Sequence, residues 1–488
     1  MATTPVYCPW TAFSHFLYKT VRRMQALGLI LAFLIGFFAV KSISSRFSWA
    51  ESIGFAFPVG LFLITLAMLL ADWLGIPLTS LSVLVMAVML LALTLMLAFP
   101  RRREIAASLC RLPDFGRLNM VWLVCMLLLV YAEYSNFLKA MYFPTYDRDS
   151  LAGFDTIGFV AAMEHTYSGM SIFSGDYMPK IHQAGSYISY MPMLQLSYAY
   201  VYLLGAVTSK AVPAFFFLSF LFGFYGIVRR ATSSPTASAV ATFCMMMTPE
   251  MFSFSSLSNT NVLHACMASS GILYVCLWQR RHEMPLLVLG SLLLAINCWL
   301  RAEGIVFVAA AFVIVAVSLL LNGRQQLKPG SSWRLPAIAM AAVLPFLLFQ
   351  AYAHACGLTS ESVVMAYPFF DSEKALAVLG GAWFLLADAP YYGWTFILFV
   401  IALLLNCVRI VRRGEGWAVI VAFFCPLMLY FLLLYQIDYI WDSLTNVINF
   451  SAKRFLFCFV PVAWYYIVAN PMANAMFTKL DSLLAWKK

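Results

Sequence analysis

Phe455-Leu-Phe-Cys-Phe-Val-Pro461-Val-Ala-Trp-Tyr-Tyr-Ile-Val-Ala-Asn470 opens a stretch, bounded by Arg454 and Lys479, without one charged side chain. A second such stretch lies between His182 and Lys210. Runs of about 20 apolar residues have the length of a membrane-spanning helix. Barrel strands instead alternate apolar and polar residues over about ten positions. The pattern holds along the whole chain of 488 residues, which is 63% hydrophobic and only 11% charged, with a mean hydropathy of +0.85. Soluble domains carry about 25% charged residues. A chain this poor in charge can be stable only with much of its surface in lipid, where the backbone must be satisfied inside helices or closed barrels. The reading is an all-α polytopic membrane protein.

Apolar runs fall at about 24–40, 53–71, 79–99, 119–139, 191–207, 211–228, 236–249, 258–278, 285–300, 303–321, 336–356, 392–410, 417–436 and 455–470, giving about 12–14 transmembrane helices. A weaker apolar stretch lies near Ala375–Ala387. The first run, Leu27 to Val40, is followed by Lys41 and Arg46 and not by a small-residue cleavage site. No internal repeat or soluble linker is evident. The net charge of +10 comes from short clusters between the runs: Arg101-Arg102-Arg103, Arg229-Arg230, Arg280-Arg281, Arg324 with Lys328, Arg409 with Arg412-Arg413, and Lys487-Lys488. That is the positive-inside pattern and not a nucleic-acid surface. The 11 cysteines are scattered singly, without a CxxC pair or a His-Cys cluster, and read as small apolar packing residues.

The basic clusters set a topology. With Arg101–Arg117 in the cytoplasm, the 119–139 span runs outward and residues 140–190 lie outside. Arg229, Arg280, Arg324 and Arg409 then all fall inside. Parity fails in one place: two apolar runs separate the outer loop from Arg229, so the segment 191–228 is expected to hold one incomplete or re-entrant helix. The orientation of the spans before residue 100 stays open, because Lys19, Arg22 and Arg23 flank one end of the first run and Lys41 and Arg46 the other.

The outer side collects the residues able to do chemistry. The first loop reads Pro144-Thr-Tyr146-Asp147-Arg148-Asp149-Ser150-Leu-Ala-Gly153-Phe-Asp155-Thr156 and continues to Asp176, Lys180, His182 and Tyr190. A carboxylate at a membrane surface can act as general base on a hydroxyl. The same residues also suit a helix-capping loop, and with a helix from Ser150 onward Asp149 would be its N-cap. Trp299-Leu-Arg301-Ala-Glu303-Gly304 forms a tight turn between two runs; charges at such a boundary tend to be paired or functional. Asn449-Phe-Ser451-Ala-Lys453-Arg454 places two cations at the outer edge of the last span, where they can bind phosphate or snorkel to headgroups. Thr248-Pro249-Glu250 through Asn259-Thr-Asn261 is a polar outer loop.

Together these stretches resemble the GT-C superfamily of membrane glycosyltransferases, in particular the protein O-mannosyltransferase-like and cell-envelope-modifying enzymes. The resemblance rests on Asp149-Ser-Leu-Ala-Gly153-Phe-Asp155 after an outward span, Met191-Pro192-Met-Leu, Thr248-Pro249, Asn259–Asn261, Arg301-Ala-Glu303-Gly304, and Lys453-Arg454 with Pro461. It covers roughly residues 119–470, leaving 1–118 as N-terminal spans of unassigned role and 471–488 as a cytoplasmic tail. It implies a GT-C-like bundle with a helical extracytoplasmic first loop, in a bacterial cytoplasmic (inner) membrane. It implies a polyprenyl-phosphate-linked sugar as donor and a cell-envelope glycan, lipid or protein as acceptor. Among the loop acids the base is ranked Asp149, then Asp155, then Asp147. Arg301, Arg454 and Lys453 would hold the donor phosphate, and Glu303, Tyr146, His182 and Asn261 would bind substrate. No cofactor is certain; a divalent cation shared by Asp147, Asp149 and the donor phosphate is compatible with the loop. The chain departs from the family where Asn259–Asn261 carries amides in place of an acid. The alternatives are an O-antigen ligase or polymerase using a pyrophosphate-linked glycan, and a transporter or flippase for a lipid-linked substrate.

Overall fold

A computed structural model describes residues 9–110, 119–173, 187, 190–322, 334–358, 363–365, 370–387, 389–439 and 443–484. Among these, ten helices are long and apolar enough to cross a membrane, or eleven if Arg334–Ala341 and Leu344–Ala355, bent by 46°, form one span. The other apolar runs make the shorter helices Met193–Leu203, Pro235–Met246 and Met284–Leu300. The architecture is an all-α polytopic membrane protein. Its one sheet among the described residues is a ribbon of two three-residue strands, Val363–Met365 antiparallel to Ile437–Tyr439.

Helix starts follow local chemistry. Ser48 and Glu51 form a capping box on Trp49–Trp73, and Thr79 with Ser82 does the same on Ser80–Ala98. Asn119, Ser234 and Asn259 each accept a backbone N–H at the start of a helix. These side chains satisfy amides that no helical carbonyl can reach.

Buried polar locks sort the helix ends into two faces. At the basic face, Arg230 donates to both oxygens of Glu51 (2.6 and 2.7 Å), and Tyr274 Oη donates to the same carboxylate (2.9 Å). There too Asp481 accepts from Asn119 (3.0 Å), Ser234 (2.5 Å) and Thr236. The C-terminal helix Pro471–Leu484 is therefore docked on the bundle. At the opposite face, Asp72 accepts from Thr166 Oγ1, from the Tyr167 and Ser168 amides, from Ser168 Oγ and from Tyr352 Oη, at 2.5–3.1 Å.

These locks orient the first three spans. Lys41, at the end of Pro9–Ile43, donates to Phe47 O (2.9 Å) and Ser108 Oγ (3.4 Å) at the basic face. Trp49–Trp73 then runs from Glu51 to Asp72, at the loop face. Ser80–Ala98 starts there, with Ser80 Oγ donating to Leu203 O (2.5 Å), and returns toward Arg101–Arg103.

The parity problem at 191–228 is resolved by Met193–Leu203. With 11 residues it is about 16 Å long, half of a bilayer core of about 30 Å. Both its ends bond the loop: Gln195 donates to Tyr187 O (3.2 Å), and Tyr202 Oη donates to Asp155 (2.7 Å). It lies along the loop helix Asp155–Glu164 and does not carry the chain to the other face. Ala211–Thr232 makes the crossing, ending at Arg229-Arg230.

Candidate active site

The loop after Met120–Tyr142 begins to coil at Arg148, one residue after Asp147. Asp147 is therefore the cap. Its Oδ2 accepts from the Ser150 amide (3.2 Å) and Ser150 Oγ (3.1 Å), and also from Asn259 Nδ2 (3.3 Å). This corrects the capping role expected for Asp149, whose backbone is already helical (φ −63°, ψ −33°) and whose side chain caps nothing.

With the cap taken, Asp149 is free to pair across the molecule. Arg454 Nη1 donates to its Oδ2 (2.5 Å) and Tyr187 Oη to its Oδ1 (2.8 Å). Both charged side chains keep about a quarter of their exposure, 27% for Arg454 and 26% for Asp149. Burial, and then the Asp149 charge, push the Tyr187 phenol above its ordinary range, so it remains a donor. Gly153 makes room for this tyrosine: a Cβ there would lie 2.3 Å from the Tyr187 ring. Phe154 packs edge-on against both Tyr187 and Tyr190, which stack on each other at 5.3 Å.

Arg301 forms the second pair. It grips Glu303 with two bonds (2.8 and 3.3 Å) and donates to Asn261 Oδ1 (2.9 Å) and Thr260 Oγ1 (3.4 Å). The turn is tight because Gly304 sits against the preceding helix, where a Cβ would lie 2.8 Å from the Cys298 nitrogen. That close approach, and not a positive φ, is what glycine supplies.

Tyr190 joins the two pairs. Arg301 lies over its ring at 5.7 Å, and it sits in the field of Arg301, Glu303, Asp149 and Arg454, its phenol raised chiefly by burial. Two guanidinium groups and two carboxylates from three separate segments thus surround one tyrosine. Lys453 is turned elsewhere: it donates to Glu250 (3.0 Å) and lies over the Tyr391 ring at 4.2 Å. Asp155 faces Tyr202 (2.7 Å) and Thr145 (3.4 Å), away from Asp149. Tyr146 lines a cleft beside Asp147. His182 lies outside the described residues.

Tyr190 stood in the sequence among the outer-loop residues without a role, and Tyr187 was missed. Also missed was His264, one turn after Asn261, buried between the Phe307 and Phe455 rings. Its place on the same helix face as Asn261 was the available signal. A divalent ion finds little support from the protein. Among the described residues no three His, Cys, Asp or Glu side chains group, and Asp149 already carries a guanidinium against one oxygen.

No family model matches the chain, and no curated protein matches it. Among solved structures it is similar to the crystal structure of the Archaeoglobus fulgidus oligosaccharyltransferase in complex with Zn and sulfate. The two share 16% sequence identity and a TM-score of 0.43, over 75% of this chain and 51% of that one. The chain thus spans about half the length of that oligosaccharyltransferase.

Proposed function

We propose that the protein is a membrane glycosyltransferase of the GT-C type, moving a sugar from a polyprenyl-phosphate donor to an acceptor hydroxyl on the extracytoplasmic face. The observation that carries the reading is the Asp149–Arg454 pair (2.5 Å) set against Tyr190 with Arg301 and Glu303. The acceptor oxygen attacks the anomeric carbon, and the bond from that carbon to the phosphate oxygen breaks. The polyprenyl phosphate leaves with the electron pair, and the hydroxyl proton passes to Asp149. One base and a cation for the leaving phosphate suffice for such a displacement. Arg454 serves as that cation: a partly exposed ion pair holds by only about 0–1 kcal/mol, so the guanidinium can turn from the carboxylate to a phosphate. That move also frees Asp149 Oδ2 to accept the proton. The sidedness follows the charge rule, with Arg101–Arg103, Arg229-Arg230, Arg280-Arg281 and Arg409–Arg413 at the cytoplasmic ends.

The test is transfer from a polyprenyl-phosphate sugar by the purified protein in nanodiscs. Asp149→Asn should lower kcat by roughly 10²–10⁴, the usual range for a general base, with donor binding retained. Wild-type rates in all three of Asp149→Asn, Asp155→Asn and Asp147→Asn would end the reading. Transfer only from a pyrophosphate-linked glycan would favour the ligase alternative.

A further inference from the structure

Beside Asp147 lies a narrow cleft lined by Lys139, Tyr146, Asp147, Lys210 and Ser256 among others. Its charges are arranged unlike those around Tyr190. There each arginine already has a carboxylate; here neither lysine makes an ion pair among the described residues. Lys210 is only 6% exposed, and its ammonium has no hydrogen-bond or ion-pair partner among the described residues. Burial pulls its pKa down, partly offset by the charge of Asp155. Lys139 donates only to the Ser253 carbonyl, at 3.4 Å. The hydroxyl of Ser256, 5% exposed, finds no partner among the described residues.

Buried donors without acceptors are costly, and a buried ammonium without an anion more so. Lys210 and Ser256, with Lys139 beside them on one long bond, line one opening and are short of the same thing, an acceptor carrying negative charge and several oxygens. Asp147 lines the same opening, with its Oδ2 held by Ser150 and Asn259. We infer that the Lys139–Lys210 cleft is a binding site for a phosphate group, separate from the cations around Tyr190. Two ammoniums and the Ser256 hydroxyl match the oxygens of a tetrahedral anion. In the glycosyl-transfer reading, on which this part rests, the donor phosphate goes to Arg454. The cleft, two residues from Asp149 along the loop, then takes an anionic group of the acceptor. The acceptor would be a phosphorylated glycan or lipid, held with its hydroxyl toward the loop acids.

The experiment reads Lys210 directly and needs no sugar transfer. The full chain in zwitterionic nanodiscs is reductively methylated with formaldehyde, and modification of Lys210 is followed by peptide mass spectrometry. One arm adds inorganic phosphate; the other replaces part of the lipid by phosphatidylglycerol. A bound anion raises the lysine pKa by about one unit, so modification should slow about tenfold. Arg454→Gln should leave the slowing intact, and Lys139→Gln should weaken it. Slowing in neither arm overturns the phosphate site, whether or not the protein transfers sugar. Slowing lost in Arg454→Gln overturns its separateness. Slowing by phosphatidylglycerol alone leaves the phosphate site standing with a lipid headgroup as its occupant, and overturns the acceptor assignment.

Discussion

Each end of this bundle holds a carboxylate–arginine pair between distant segments, and the two are built for opposite purposes. At the basic end Glu51 is 1% exposed and meets Arg230 through two bonds, with Tyr274 adding a third. Every oxygen is satisfied, and three helices are fixed to one another. At the loop end Asp149 and Arg454 meet through one bond, each with about a quarter of its surface exposed. The first pair is sealed and can only be broken at a cost. The second is open to solvent and can exchange partners. The difference is one of placement: the sealed pair lies between the ends of crossing helices, whereas the open pair joins a loop to the start of the last span.

The sharpest test of that contrast separates stability from turnover. Removing one partner of a buried ion pair typically costs about 3–5 kcal/mol, because the other charge is left uncompensated. Glu51→Gln should therefore lower unfolding stability in detergent by an amount in that range. Asp149→Asn, at a screened site, should lower it by no more than about 1 kcal/mol while removing transfer. Equal losses of stability in the two variants would make the loop pair a second structural lock.

A finer test concerns geometry at constant charge. Arg454→Lys keeps the positive charge but loses the fork that can bridge a carboxylate and a phosphate. The donor KM should rise roughly tenfold, about 1.4 kcal/mol of binding, with a smaller change in kcat. An unchanged KM would mean that Arg454 serves only to hold Asp149 in place.

What was legible in the sequence, and what was not, divides along the same line. The long apolar runs were readable because a lipid solvent leaves the backbone only helices or closed barrels. The incomplete helix at 193–203 was readable from parity alone. The pairing of Asp149 with Arg454 was not, because 305 positions separate them and no local periodicity carries such a contact. Asp147 displaced Asp149 as the cap because the coil starts at Arg148, two residues earlier than expected, and a two-residue shift at a helix start exchanges capping and free side chains. Lys210 passed as punctuation between two apolar runs; only its burial distinguishes it. Glu51 and Asp72 lay in spans without an assigned role, yet they anchor the basic face and the outer loop respectively.

Lys453 gives the smallest expected effect and the cleanest discrimination. The sequence placed it with Arg454 as a phosphate ligand, since adjacent cations at a span edge commonly act together. The structure turns the two apart. Lys453 donates to Glu250 at 3.0 Å, with both side chains largely covered at 14% and 19% exposure, and lies over Tyr391. An ammonium already held by a carboxylate and an aromatic face has little charge left to offer a third group. Lys453→Gln should therefore change the donor KM by less than about threefold, below 1 kcal/mol. A double-mutant cycle with Glu250→Gln distinguishes the two roles. If Lys453 is a structural partner, Glu250→Gln alone leaves a half-buried cation and destabilises, and the second substitution restores part of the loss, a coupling of about 0.5–3 kcal/mol. If Lys453 serves the phosphate, the stability coupling is near zero and the single Lys453→Gln variant shows the tenfold KM increase expected of Arg454→Lys. The outcome fixes whether the loop end carries one exchangeable cation at this edge or two.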